Sequence, residues 1–270
     1  MTKLMKSPLR YPGGKSRAIK HILPQIPGRI QEYREPFVGG GSVYLAIRST
    51  FKSFVSAYWI NDLNFDLYCF WKYARDDLNQ LTTCIWEFKH NYPDGRELYT
   101  FLKNDENMPT DFDRAVRFFV MNRITFSGVT DAGGYSEQSF EKRFTDSSIK
   151  RLEGLSGYLS STRITSQDYE SMLFENGDSV FIFLDPPYLS AAESRLYGVR
   201  GSLHTSFDHE RFAENMRKCP NRWLITYDDS PEIRKLFSFA TICDWELQYG
   251  MNNYKQGSAA SGKELFIKNY

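Results

Sequence analysis

The chain has little of what would mark an exported or membrane-bound protein. Four cysteines occur in 270 residues, Cys69, Cys84, Cys219 and Cys243, far apart and with neither a C-x-x-C pair nor a histidine spacing suited to zinc. That spacing offers no zinc site and leads us to expect reduced core thiols in a cytoplasmic protein. No apolar run approaches the 18 or so residues of a membrane span, and no apolar segment follows the basic start, so neither anchor nor leader is expected. Internal repeats and low-complexity tracts are absent as well.

Two nucleotide-binding signatures are each one residue short. Gly39-Gly40-Gly41 opens like a dinucleotide fingerprint, but G-x-G-x-x-G needs glycine at position 44, where Tyr44 stands. Gly13-Gly14-Lys15-Ser16 ends like a phosphate-binding P-loop, but that motif needs glycine at position 9, where Leu9 stands. These departures argue against a nicotinamide cofactor and against an ATPase. The turn Tyr11-Pro12-Gly13-Gly14-Lys15 is left either as an ordinary Pro-Gly turn or as a rigid device that brings an ammonium and a ring to a pocket.

Net charge is small too, at +1, but it is unevenly placed. Residues 1–34 hold Lys3, Lys6, Arg10, Lys15, Arg17, Lys20, Arg29 and Arg34 against Glu32 alone, a local +7 that leaves −6 for the remainder. A basic end on an otherwise acidic chain is either a phosphate-facing surface or a solvated one. Apolar and charged fractions of 41% and 25% are those of a soluble globular protein. The 16% aromatic content suits base stacking and core packing alike.

Five apolar stretches each end in a polar or glycine-rich turn before a helical stretch: Tyr33–Glu35, Phe54–Ile60, Arg163–Thr165, Val180–Leu184 and Trp223–Tyr227. Repeated βα units imply an α/β fold with a doubly wound, mostly parallel sheet. Ala240–Tyr249 and Glu264–Lys268 read as an antiparallel C-terminal hairpin. Residues 66–152 break the rhythm with helical segments near Leu67–Phe88 and Asp113–Asn122 and a Gly/Ser-rich stretch near Ser127–Ser139, which reads as a mainly helical insertion. Residues 1–65 and 153–270 are then the α/β part.

The most informative motif follows the fourth strand. Val180-Phe181-Ile182-Phe183 reads as a strand buried on both faces, and ligands of open α/β sheets bind beyond the carboxyl ends of such strands. Leu184-Asp185-Pro186-Pro187-Tyr188 places there a carboxylate, a carbonyl freed by the prolines, and an aromatic plate. Those groups suit a planar ring bearing an exocyclic amine. The loop Gly39–Gly41 lets a backbone approach a ligand closely at a helix start. Asp62, about 20 positions on and ending the second strand, suits a ribose hydroxyl. Ribose without pyrophosphate fits a nucleoside cofactor such as S-adenosylmethionine. Asp168 at the end of the third strand suits an adenine amino group, with Tyr169 packed on the ring, and equally suits a helix cap.

Taken in order, these motifs resemble the Dam-type family of adenine-specific DNA methyltransferases. The shared elements are the Pro12–Lys15 turn, the Glu35–Gly41 loop, Asp62, the 66–152 insertion and Asp185–Tyr188, over nearly the whole chain. The resemblance implies a Rossmann-like methyltransferase fold and S-adenosylmethionine as methyl donor, with no metal. It implies that Tyr11, Lys15, Asp62 and Asp185 line the cofactor site, with Phe37, Gly39 and Gly41 beside them. It also implies that the insertion recognises duplex DNA, Asn122-Arg123 and Thr125–Ser139 matching a hairpin that enters it, Ser127 included. Relatives that read GATC carry Asn-Gly followed by Arg or Tyr there, whereas this chain has Phe126-Ser127-Gly128-Val129-Thr130-Asp131.

The chemistry that follows has Asp185 and the Pro186 carbonyl engage both hydrogens of the adenine amine, while Tyr188 stacks on a base extruded from the duplex. A tyrosine hydroxyl is protonated at neutral pH, so the ring of Tyr188 is expected to matter more than its hydroxyl. Lys3, Lys6 and Arg10 are expected on flanking phosphates. A cognate restriction endonuclease would be a functional partner. The motif is also compatible with cytosine N4 or an RNA adenine as target, and the fold with a catalytically idle nucleic-acid-binding protein.

Overall fold

The computed structural model describes residues 4–130, 133–189, 207–248 and 261–270. Lys3, Asp131-Ala132 in the loop after Ser127, and the whole of the loop 249–260 between the last two strands lie outside them.

Seven strands form one sheet: β1 (Glu32–Glu35), β2 (Ala57–Asn61), β3 (Thr162–Thr165), β4 (Val180–Leu184), β5 (Arg222–Asp228), β6 (Thr241–Gln248) and β7 (Ser261–Lys268). Their order is β3-β2-β1-β4-β5-β7-β6, with β1 to β5 parallel and β7 antiparallel to both its neighbours. The doubly wound sheet and the antiparallel C-terminal pair read from the sequence are therefore both present. Chain order reverses between β1 and β4, which makes their carboxyl ends the crevice where such sheets bind ligands.

Alternation along β4 explains its continuous apolar run. Phe181 and Phe183 belong to one buried cluster, while Val180, Ile182 and Leu184 belong to the cluster on the opposite face. With helices on both sides, no position of the strand meets water, and polar residues are excluded from it. Among the described residues, the helices of the second face are α9 (Glu170–Phe174), α10 (His209–Lys218) and α11 (Pro231–Leu236).

The first face carries α1 (Ile19–Ile22) and α2 (Ser42–Thr50), then the segment read as an insertion: α3 (Phe65–Asp76), α4 (Leu78–Asn91), α5 (Gly95–Lys103), α6 (Asp111–Ile124), α7 (Glu137–Arg143) and α8 (Asp146–Glu153). Asn64 starts α3 by accepting from Leu67 N, and a reciprocal Thr110–Asp113 capping box starts α6. The single helical stretch expected over Leu67–Phe88 is two helices, broken at Asp77, whose side chain caps the second. One cluster contains Ile60 of β2 and Tyr44 of α2 together with Phe70, Trp71, Phe119 and Ile149 from these helices. The helices thus share a core with the sheet, and the boundary near residue 66 does not divide the packing.

Candidate active site

Tyr11 and Lys15, the Glu35–Gly41 loop, Asp62, Asp168, Tyr169 and Asp185–Tyr188 all line one cavity of about 630 Å³ at the carboxyl ends of β1 to β4. Segments far apart in sequence meet there because parallel strands deliver every βα turn to the same sheet edge. That volume is in the range of small-molecule sites.

The glycine loop is built around a close approach. Gly39 and Gly41 have φ of 46° and 68°, a region L-residues rarely adopt. A Cβ on Gly39 would lie 2.8 Å from the Tyr11 ring, and one on Gly41 would lie 2.6 Å from Trp71. The Trp71 indole N–H donates to the Gly39 carbonyl at 3.0 Å, so α3 supports the loop directly. Ser7 holds it from the other side, donating to the Gly40 carbonyl. Asp62 ties in as well: Oδ2 accepts from Gly39 N at 2.9 Å and Oδ1 from Asn64 N at 3.0 Å. Burial pushes the Asp62 carboxyl up to about 6, against the pull of those two backbone donors.

At the end of β4, Asp185 Oδ1 is held twice. The Lys15 ammonium lies 2.7 Å away and the Thr226 hydroxyl donates at 2.7 Å. Lys15 is buried, donates also to the Gly13 carbonyl at 3.1 Å, and sits 4.7 Å from the centre of the Tyr188 ring. The Pro-Gly-Gly-Lys turn is therefore the device that brings an ammonium to the site. Both contacts fall on Oδ1, so Oδ2 is left for a ligand among the described residues. The Tyr188 hydroxyl donates to Glu264 Oε2 at 3.0 Å. Burial, then Asp185 and Glu264, push the Tyr188 hydroxyl well above its usual value, so it stays a donor.

On the opposite wall, Phe37 packs with Tyr169 at 5.6 Å and with Phe207 and Phe212 at 5.8 and 6.1 Å. Asp168 lines the cavity, and its Oδ1 accepts from Glu170 N at 2.9 Å in the turn that leads into α9. It also pairs with Arg211 at 3.2 Å. Glu35 is buried beneath the loop, and burial raises its carboxyl well above the usual range although Tyr33 donates to it at 2.6 Å.

The residues expected on DNA divide into two groups. Lys6 is exposed and Ser127, with φ of 55°, stands in the turn Phe126–Gly128 beside Phe126, which is 70% exposed. Thr125 and Tyr135 form an antiparallel bridge across this stretch, as a hairpin requires. Asn122, by contrast, is fully buried and holds other parts of the protein: Arg10 N donates to its Oδ1 at 2.9 Å, and its amide donates to the carbonyls of Arg10 at 2.6 Å and Gly128 at 3.0 Å. Both amide hydrogens are spent within the protein and the side chain is buried, so it locks Arg10 to the hairpin. Arg123 is buried, with Nε and Nη2 unpartnered among the described residues. Burial pulls its guanidinium down to about 9, with Arg151, Arg10 and Arg143 adding to the effect. The basic N-terminal segment is not all surface either, since Arg34 is fully buried, ion-paired to Glu32 and donating to the carbonyls of Met172, Glu175 and Asn176.

Trp71, Thr226 and Glu264 were not singled out from the sequence. Glu264 alone left a signal, an acid heading the apolar run Leu265-Phe266-Ile267.

Comparison with known proteins agrees with this architecture. The chain is 25% identical to the type II methyltransferase M1.LlaDCHI of Lactococcus lactis subsp. cremoris, over 97% of this chain and 94% of that one. It is 24% identical to the type II methyltransferase M.CviBI of Paramecium bursaria Chlorella virus NC1A, over 98% of this chain and 100% of that one. It is 26% identical to a DNA adenine methylase of Vibrio cholerae, over 87% and 85%. Residues 11–251 match as a whole, and the chain belongs to the D12 class N6 adenine-specific DNA methyltransferase family.

Proposed function

We propose that this chain methylates N6 of an adenine flipped out of duplex DNA, with Asp185, Pro186 and Tyr188 at the reacting amine and S-adenosylmethionine as donor. The observation that carries the reading is Asp185, anchored through Oδ1 by Lys15 and Thr226, on the wall of the cavity that also holds the Gly39–Gly41 loop and Asp62.

The residues present fit the donor. Gly39 and Gly41 let the loop that lines the cavity pack closely on Tyr11 and Trp71, Asp62 offers a carboxylate to ribose hydroxyls, and Phe37 and Tyr169 offer apolar faces to a purine. When bound, S-adenosylmethionine supplies an electrophilic methyl group. The rest is done by the protein. Asp185 Oδ2 and the Pro186 carbonyl accept the two N–H bonds of the amine, which concentrates electron density on N6, and the fixed carboxylate stabilises the positive charge that develops there. Tyr188 stacks on the base, which returns roughly 1–3 kcal/mol of the few kcal/mol that extrusion costs.

On the DNA side, Lys6 and Arg10 meet phosphates, Ser127 faces base edges, and buried Arg123 supports the hairpin that carries Ser127. Exposed Phe126 is suited to enter the stack as an apolar wedge. Asn122 acts through Arg10. The type II names of two relatives support a modification role opposite a cognate endonuclease, and four free thiols suit the cytoplasm.

The test offers duplex DNA, single-stranded DNA and RNA of one sequence with methyl-labelled donor. Label recovered as N6-methyladenine, chiefly from the duplex, supports the reading. Label in cytosine, or chiefly in RNA, overturns it.

A further inference from the structure

Glu264 lies on β7, in register with Asp228 on one side and Trp245 on the other, so an antiparallel strand presents it at the edge where the parallel strands deliver the active site. It is 1% exposed, and the next three residues along the strand, Leu265, Phe266 and Ile267, are buried core. A buried carboxyl is costly unless its oxygens are satisfied. Here Oε2 accepts from the Tyr188 hydroxyl at 3.0 Å, while Oε1 is buried with no partner among the described residues. A position inside a packed sheet that keeps such a group calls for a role beyond packing.

That role follows from what Tyr188 lacks. Pro186 and Pro187 stiffen the backbone before it, but nothing in the backbone fixes the tilt of a ring tethered only through Cβ. A hydrogen bond at the far end of the ring supplies the second tether. The Lys15 ammonium lies over the ring at 4.7 Å and Tyr227 flanks it at 5.8 Å, which limits rotation about the axis between the two tethers. Lys15, Asp185, Thr226, Tyr188 and Glu264 thus form one connected unit.

We propose that Glu264 is a positioning residue for methyl transfer: by holding the Tyr188 hydroxyl it fixes the plane against which the target base is laid. The inference rests on the methyl-transfer reading above. The tether survives changes in charge on the acid. Burial pushes the Glu264 carboxyl up to about 7; Lys15 acts against this, and Asp185 and Asp228 add to it. Either form retains an oxygen that accepts from the hydroxyl.

The test is single-turnover methylation of duplex DNA by Glu264→Leu, Glu264→Gln, Tyr188→Phe and the Tyr188→Phe/Glu264→Leu pair, with donor affinity measured by calorimetry. Glu264→Leu should lower the transfer rate by roughly 10- to 100-fold, the scale of one hydrogen bond to a charged group, with donor affinity within about twofold. Glu264→Gln, which keeps an acceptor, should recover at least about tenfold of that loss. The double variant should be no slower than Glu264→Leu alone, since both changes remove one bond. Additive losses, or a Glu264→Leu rate within about twofold of the parent, overturn the proposal. Should Glu264→Leu fail to fold, Glu264→Gln compared in the parent and in Tyr188→Phe decides: any loss it causes should vanish once the hydroxyl is gone, and a loss that persists overturns the proposal. Absence of methyl transfer by the parent would instead defeat the reading on which this rests.

Discussion

Lys15 Nζ stands 2.7 Å from Asp185 Oδ1, and the two are joined across 170 residues of sequence by a turn and a strand end that meet at one sheet edge. The pair has two consequences. It orients the carboxylate, and it makes the lysine dependent on it, because a buried ammonium left without its partner is strongly unfavourable. Asp185→Ala should therefore lose about 10²- to 10³-fold in methyl transfer, the scale of one preorganised group, and should also melt earlier than the parent. Asp185→Asn, which retains an acceptor near Lys15, should melt closer to the parent. Transfer kinetics beside thermal unfolding check both; near-parent turnover by Asp185→Ala would remove the carboxylate from the mechanism.

Asp62 predicts a pH dependence of cofactor binding. Its carboxyl is raised from 3.8 to about 6 by burial, so the stability it contributes is fully present below 3.8 and is lost as pH rises through about 6. If ribose hydroxyls donate to the charged form, affinity for S-adenosylmethionine should rise as pH goes from 5 to 7. Calorimetry across that range should show the rise in the parent and a flattened profile in Asp62→Asn. An unchanged profile in the variant would leave Asp62 as the brace of Gly39 and Asn64 only.

Arg123 yields an opposed pair of effects. A buried guanidinium with two unpartnered nitrogens destabilises the free protein, and Arg10, Arg143 and Arg151 deepen the penalty. Arg123→Met should raise the melting temperature, at about 2–4 °C per kcal/mol gained for a chain of this size. If the group meets a phosphate, the same variant should bind DNA more weakly, with a log K against log salt slope shallower by about 0.9. A lower melting temperature with an unaltered slope would confine Arg123 to supporting the hairpin.

Strand ends and turns were legible in the sequence because their causes are local. The β4 run is apolar at every position, and its breakers sit where the strand stops, which marks the place of Asp185 in the sequence itself. Gly39 and Gly41 were legible because close approach and left-handed backbone leave few other residues possible. What stayed hidden is long-range. Asn122 looked like a polar residue poised for a base edge, yet its partner is the backbone of Arg10, 112 positions away. Arg34 counted toward a basic surface, but its guanidinium is covered by carbonyls near residue 175. An ordinary tyrosine pKa gives the Tyr188 hydroxyl no role, whereas Glu264, 76 positions on, accepts its hydrogen bond. None of these pairings leaves a spacing that a single sequence can display.

The central claim is met most directly by mapping modified bases in plasmid DNA from cells that express either the parent or Asp185→Ala. The account predicts N6-methyladenine at one recurring sequence with the parent, and its near absence with the variant at equal protein level. N4-methylcytosine with the parent, or an equal adenine methylation map from both proteins, would contradict it.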